Sequence, residues 1–201
     1  MLKKIMISLL AAALLVLSFS GCSKEEGATD SSSAGAQTQQ DETQEEAGPF
    51  EELSLTDFDG NEVSSEVFAE HQMTMINIWA TFCNPCLSEM PELGELAQEY
   101  AQTSDGVQIV GICTDVVDQK GNQVEEQVEL AKQILELTGA GYLNLIPDET
   151  FLNFLMESVP GVPTTFFVDS QGKLLGEAVV GARDKQAWQE EIDARLQLLE
   201  K

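Results

Sequence analysis

Trp79-Ala80-Thr81-Phe82-Cys83-Asn84-Pro85-Cys86 joins two kinds of pattern. Before it, Met73-Thr74-Met75-Ile76-Asn77-Ile78 is a mostly apolar run suited to the middle of a sheet. After it, Leu87, Met90, Leu93 or Gly94, and Ala97 recur at helical spacing as far as Tyr100. The two cysteines therefore stand at a strand-to-helix junction, close enough to bond to each other. Cys83 falls where helix N-terminal N–H groups and the macrodipole favour a thiolate, the species that attacks a disulfide. Cys86 lies about one turn later on the same face, within reach of a mixed disulfide on Cys83. Pro91 inside the helix predicts a kink over residues 87–91.

Outward from this junction the pattern alternates. Phe50 to Leu55 and Val63 flank Asp57-Phe58-Asp59-Gly60-Asn61, a turn signal that predicts an N-terminal hairpin. A short helix is expected around Ser65 to Ala69. Val107 to Cys113 reads as a second central strand, and Asp115 to Gly121 as a polar loop. Val124 to Leu137 is an amphipathic helix, Leu143 to Ile146 a short strand, and Thr150 to Ser158 a helix capped near Asp148. Thr164 to Val168 is a strand, turned by Asp169-Ser170-Gln171-Gly172 into a partner arm, Lys173 to Val180. Asp184 to Leu199 closes the chain as a helix with Asp184 in its first turn. Strand–helix alternation implies parallel crossovers, and the late hairpin adds antiparallel strands. The expected fold is α/β, a mixed central sheet with helices on both faces.

The four cysteines divide by place. Cys83 and Cys86 form the pair. Cys113, at the end of an apolar strand, reads as a small packed hydrophobe, with a third redox thiol as the alternative. Cys22 closes the N-terminal segment. There Lys3 and Lys4 precede an apolar stretch, Ile5 to Leu17, and then Phe19-Ser20-Gly21-Cys22. A positive start, a short apolar region and small residues make residues 1–21 a signal peptide. The last four residues resemble the lipobox of bacterial lipoproteins, with Phe19 where that pattern has leucine. The resemblance implies lipid attachment at Cys22; simple secretion is the alternative. Residues 23–48 hold no Leu, Ile, Val, Met or aromatic residue, and read as an acidic tether. As a flexible coil it would reach ~30 Å. One domain, residues 49–201, remains.

The chain has 35 acidic and 10 basic residues, a formal charge of −25. Nucleic acid, whose phosphates select Lys and Arg, is excluded as a partner. Binding to anionic lipid through the domain surface is disfavoured, which leaves the lipid anchor as the membrane contact.

Three motifs recur here in one order: Trp79-Ala80-Thr81-Phe82-Cys83-Asn84-Pro85-Cys86, then Glu89-Met90-Pro91, then Val162-Pro163-Thr164-Thr165-Phe166-Phe167-Val168-Asp169 with Gly172. Together they resemble the thioredoxin superfamily, and within it the membrane-tethered TlpA/ResA-type thiol-disulfide oxidoreductases. The resemblance runs from about Phe50 to the C-terminus. It implies a thioredoxin fold in which residues 114–148 are an added strand–helix insertion. It implies Cys83 as the attacking, more exposed thiol, Cys86 as the buried resolving thiol, and a cis bond before Pro163; a trans proline at a strand start is the alternative. It places Glu89 as a carboxylate that passes protons during exchange, against a plain solvated charge. Trp79, Phe82, Val162 and Pro163 would contact substrate. Asn77 stands where thioredoxin has a buried acid, and Phe82 where the family usually has tryptophan.

The implied protein is a monomer outside the cytoplasmic membrane. It would reduce disulfides of exported proteins and be recharged by an integral membrane thiol electron donor, with no cofactor and no metal. Two other readings share the fold. A peroxiredoxin-like peroxidase requires a threonine before a single reactive cysteine and a nearby arginine; the chain offers Thr81, Arg183 and Arg195. A copper carrier would use Cys83 and Cys86 as soft ligands. The single histidine, His71, lies before the strand at its end far from the cysteines.

Overall fold

A computed structural model describes residues 48–103 and 106–200. The expected signal peptide, the lipid site Cys22 and nearly all of the tether lie outside the described residues. Within them, seven strands form one sheet: β1 (Ser54–Asp57), β2 (Glu62–Ser64), β3 (Met73–Trp79), β4 (Val107–Cys113), β5 (Asn144–Ile146), β6 (Thr164–Asp169) and β7 (Val179–Val180). Their order is β2-β1-β5-β4-β3-β6-β7. Four helices pack on it: α1 (Asn84–Tyr100), α2 (Glu125–Thr138), α3 (Glu149–Ser158) and α4 (Lys185–Leu199).

All seven residues of β3 are buried, so both faces of the sheet are covered. Alternation then sorts the side chains. Ile76, Ile78, Val110, Ile112, Phe166 and Val168 face one way, against Phe151 and Leu155 of α3 and against Phe50. Met73, Met75, Val107, Ile109 and Phe167 face the other, against Leu93 and Leu96 of α1 and Trp188 and Ile192 of α4. Trp79 and Cys113 continue that second face toward α2, which contributes Val128 and Ala131. The sheet is thus mixed, with helices on both faces, as the sequence implies.

The strand-to-helix units β3-α1-β4 and β4-α2-β5 join parallel neighbours. The third crossover differs from expectation. After α3 the chain enters β6 antiparallel to β3, with Ile76 opposite Phe166. The late hairpin is also shorter than predicted. Its return arm pairs as a bridge between Val168 and Leu174, and becomes a strand only at Val179–Val180. Gly176 interrupts the arm at a φ of 79°, left-handed backbone that glycine adopts without a Cβ penalty.

The helix ends follow their caps. Asp148 accepts the Phe151 N–H at 2.7 Å and Asp184 accepts the Ala187 N–H at 2.9 Å. Asp184 is therefore the cap itself, one residue before the helix rather than in its first turn. Gly139, at a φ of 70°, ends α2 in the left-handed conformation usual there. Helix α1 is continuous through Pro91. That ring is exposed, and it removes only the N–H that would have bonded to the Leu87 carbonyl.

Candidate active site

The β3–α1 junction delivers Cys83 to the α1 N-cap. Its sulfur accepts the Cys86 N–H at 3.2 Å, and Pro85 stands in the first turn, where its missing N–H costs nothing. Cys83 and Cys86 are bonded to each other, with Cα atoms 5.3 Å apart. In this disulfide form both cysteines are buried, at 5% and 1% exposure. The outer sulfur is only marginally the more accessible of the two.

Opposite the pair lies the turn before β6. The Val162–Pro163 bond is cis. The Val162 carbonyl oxygen stands 3.5 Å from Cys83 Sγ. A bonded sulfur has no proton to donate, so this is a contact in the disulfide form and becomes a possible hydrogen bond only in the dithiol. Gly181, after β7, donates its N–H to the Pro163 carbonyl at 2.8 Å. Val162 is half-buried and Pro163 is buried. On the open side Phe82 is 74% exposed.

One turn into α1, Glu89 is only 3% exposed. It is no solvated helix charge. Its Oε1 accepts Asn77 Nδ2 from β3 at 3.0 Å. Its Oε2 accepts the Arg183 N–H at 3.1 Å and the Trp188 indole N–H at 3.2 Å. Burial nevertheless dominates and pushes the carboxyl above its ordinary value of 4.5, the donors only reducing that rise. Asn77 also donates to Thr165 Oγ1 at 3.1 Å, while its own carbonyl oxygen is buried without a partner.

Trp79, expected among the substrate contacts, has no exposed surface. Its indole N–H donates to Asn144 Oδ1 at 3.0 Å, and Asn144 is held in turn by the Tyr142 carbonyl at 2.9 Å. In this conformation it supports the site from beneath and touches nothing outside. Cys113 is fully buried, as a packed hydrophobe would be, and its thiol proton is directed at Asp115 Oδ1, 3.3 Å away. Burial first, and then the Asp115 charge, push that thiol far above the ordinary range. The sequence reading did not place Arg183, Trp188, Thr165 or Asp115 at this site. Only Trp188 left a signal, since an indole on the packed face of a helix requires an acceptor.

Among the described residues no helix is long and apolar enough to cross a membrane.

Three comparisons agree with this geometry. A sequence profile of the AhpC/TSA family matches residues 47–176. The thiol:disulfide interchange protein DsbE of Pseudomonas fluorescens biotype C is 27% identical over 151 residues, 75% of each chain. The thiol-disulfide oxidoreductase ResA of Bacillus thuringiensis subsp. konkukian is 26% identical over 136 residues, 68% of this chain and 70% of that one. A crystal structure of a thiol:disulfide interchange protein of the thioredoxin family from Chlorobium tepidum superposes with a TM-score of 0.57 at 25% identity, covering 72% of this chain and 92% of that one. With its bonded cysteine pair at a helix N-cap on a thioredoxin fold, this chain belongs to the AhpC/TSA family and has thiol-disulfide oxidoreductases for relatives.

Proposed function

We propose that this protein reduces disulfides of exported proteins outside the cytoplasmic membrane, held there by a lipid on Cys22. The observation that carries the reading is Cys83 Sγ at the α1 N-cap, bonded to Cys86 and 3.5 Å from the Val162 carbonyl. In the dithiol form the Cys83 thiolate attacks one sulfur of a substrate disulfide. A Cys83–substrate bond forms, the substrate S–S bond breaks, and the departing thiolate takes a proton. Cys86, deprotonated, then attacks Cys83 Sγ and expels the second substrate thiolate, which is protonated in turn. The substrate has gained two electrons and the protein has become the disulfide. The α1 N-terminus favours the anionic sulfur at each stage.

Glu89 would carry the proton of the resolving thiol. It lies three residues beyond Cys86 on α1, buried, and burial raises its pKa above the ordinary value. Phe82 and the half-buried Val162 offer an incoming chain an apolar edge and a backbone carbonyl. Trp79 is left out of this contact set because it is sealed beneath the site. An integral membrane thiol donor would return the two electrons.

The peroxidase reading draws on the AhpC/TSA match, but both arginines are committed elsewhere. Arg183 reaches the Gly181 carbonyl and lies over Trp188, and Arg195 reaches the Glu177 carbonyl and lies over Phe167. The test of the oxidoreductase reading is Cys86→Ser in the exporting cell. Covalent adducts through Cys83 that dithiothreitol releases are expected; their absence contradicts the reading. Metal analysis of the reduced protein decides the copper-carrier reading, which requires a stoichiometric ion.

A further inference from the structure

The turn carrying the disulfide is gripped by a residue that takes no part in the exchange. Ala80 to Cys83 form a tight turn closed by the Cys83 N–H donating to the Ala80 carbonyl at 3.1 Å. Its central residues are Thr81, 8% exposed, and Phe82, which points out. Asp115 follows β4, 34 residues further along the chain, and holds Thr81 at two points. Its Oδ1 accepts the Thr81 N–H at 2.9 Å, and its Oδ2 accepts the Thr81 hydroxyl in a short hydrogen bond. Oδ1 also takes the Cys113 S–H. Beside it, Thr114 donates its N–H to the Trp79 carbonyl at 2.9 Å. Residues 113–115 therefore suture the end of β3 to the turn that follows.

Hydrogen bonds to an ionised acceptor are stronger than neutral ones. Two of them on one residue fix both the backbone direction and χ1 of Thr81. The next two residues, Phe82 and Cys83, then have little freedom left. In the disulfide form the S–S bond also restrains Cys83. In the dithiol form that restraint is gone, and the carboxylate and the helix cap remain.

We propose that Asp115 is a positioning residue for thiol–disulfide exchange, acting through Thr81 to keep Cys83 Sγ aimed at Cys86 and Phe82 turned outward in the dithiol state. The proposal rests on the oxidoreductase reading. A held turn gives the two thiols a high effective concentration toward each other, which favours the disulfide. Release of the turn lets the dithiol relax while the disulfide cannot, so the equilibrium moves toward the dithiol.

The experiment compares the intact chain with Asp115→Ala, Thr81→Val, Thr81→Ser and the Asp115→Ala/Thr81→Val double variant. Each is equilibrated with reduced and oxidised glutathione, and each is mixed in the dithiol form with a disulfide-bonded protein in single turnover. Asp115→Ala and Thr81→Val are each expected to shift the equilibrium about tenfold toward the dithiol, about 30 mV, and to slow single turnover about tenfold. Thr81→Ser restores both values, and the double variant is no worse than Asp115→Ala alone. A drop in melting temperature with the equilibrium and the rate both within twofold of the parent overturns the proposal. So does an additive double variant. If Asp115→Ala does not fold, the Thr81→Val and Thr81→Ser pair decides by the same criteria. Failure of the unaltered protein to exchange with glutathione is a separate result, and it removes the oxidoreductase reading itself.

Discussion

Two carboxylates flank the cysteine pair, Asp115 bonded to the turn ahead of Cys83 and Glu89 on α1 after Cys86, and their surroundings differ. Asp115 is half-buried and reaches the turn ahead of Cys83 through Thr81. Glu89 is buried on α1, three residues after Cys86, and its donors come from β3, from α4 and from the loop before α4. The donors of Asp115 include the turn's own backbone, so its job is shape. The donors of Glu89 include the Asn77 amide, and burial raises its pKa. The contrast teaches that a charge near a redox pair is not one kind of thing. On the proposed roles, its partners decide whether it positions atoms or carries a proton.

The largest expected effect removes what both carboxylates flank. Cys83→Ser abolishes disulfide reduction, whereas Cys86→Ser stops after the first step and accumulates the mixed disulfide; non-reducing gels of each variant with a disulfide substrate separate the two outcomes. Retained turnover in Cys83→Ser would contradict Cys83 as the attacking thiol.

Glu89→Gln comes next. Loss of a positioned proton-transfer group costs about 10²-fold or more in rate, read as kcat for disulfide reduction across pH. The same variant tests the buried charge through stability. The folded pKa of Glu89 is raised, so the folded state holds this proton more tightly than the unfolded chain does. Stability from this group is therefore full below the ordinary value of 4.5 and declines as pH rises through the raised one. Denaturant unfolding at several pH values above 4.5 should show that decline in the parent and its absence in Glu89→Gln. A matching decline in both would mean that Glu89 is ionised without penalty.

A smaller effect probes the support beneath the pair. Gly111 lies on β4 opposite Asn144 of β5. A Cβ there would overlap Asn144 Oδ1, the atom that accepts the Trp79 indole. Gly111→Ala should cost about 1–3 kcal/mol in denaturant unfolding, the scale of a buried donor left unpaired. A neutral result would mean that Trp79 finds another acceptor. The smallest change in stability belongs to Phe82→Ala. An exposed side chain away from any packed feature alters stability by no more than about 0.5 kcal/mol. Its loss should instead raise KM for a protein disulfide while leaving reduction of a small disulfide unchanged. Equal effects on both substrates would place Phe82 outside the contact surface.

The strands and helices around the cysteines were legible because burial writes itself into periodicity. Met73 to Trp79 and Val107 to Cys113 are apolar enough to be central strands, and the structure buries nearly every residue of both. Asp148 and Gly139 mark helix ends for local reasons that the sequence carries. The sense of β6 was not legible, since an apolar run looks the same read in either direction. Glu89 was visible as a motif residue, but its burial was not. It shares α1 with Glu92, Glu95 and Glu99, and nothing nearby distinguishes it from them. What distinguishes it is Trp188, 99 residues away. Asp115 was hidden for the same reason, because Thr81 lies in another loop. Long-range polar contacts between loops leave no local pattern.

On this reading Cys83 and Cys86 form one two-electron couple while Cys113 stands apart. Titration of the protein through a dithiothreitol redox series, with alkylation and mass mapping of every cysteine, tests it most directly. The prediction is a single two-electron transition in which Cys83 and Cys86 become labelled together on reduction and Cys113 keeps its label state throughout. Labelling of Cys83 and Cys86 at all potentials, or a transition that involves Cys113, would contradict it.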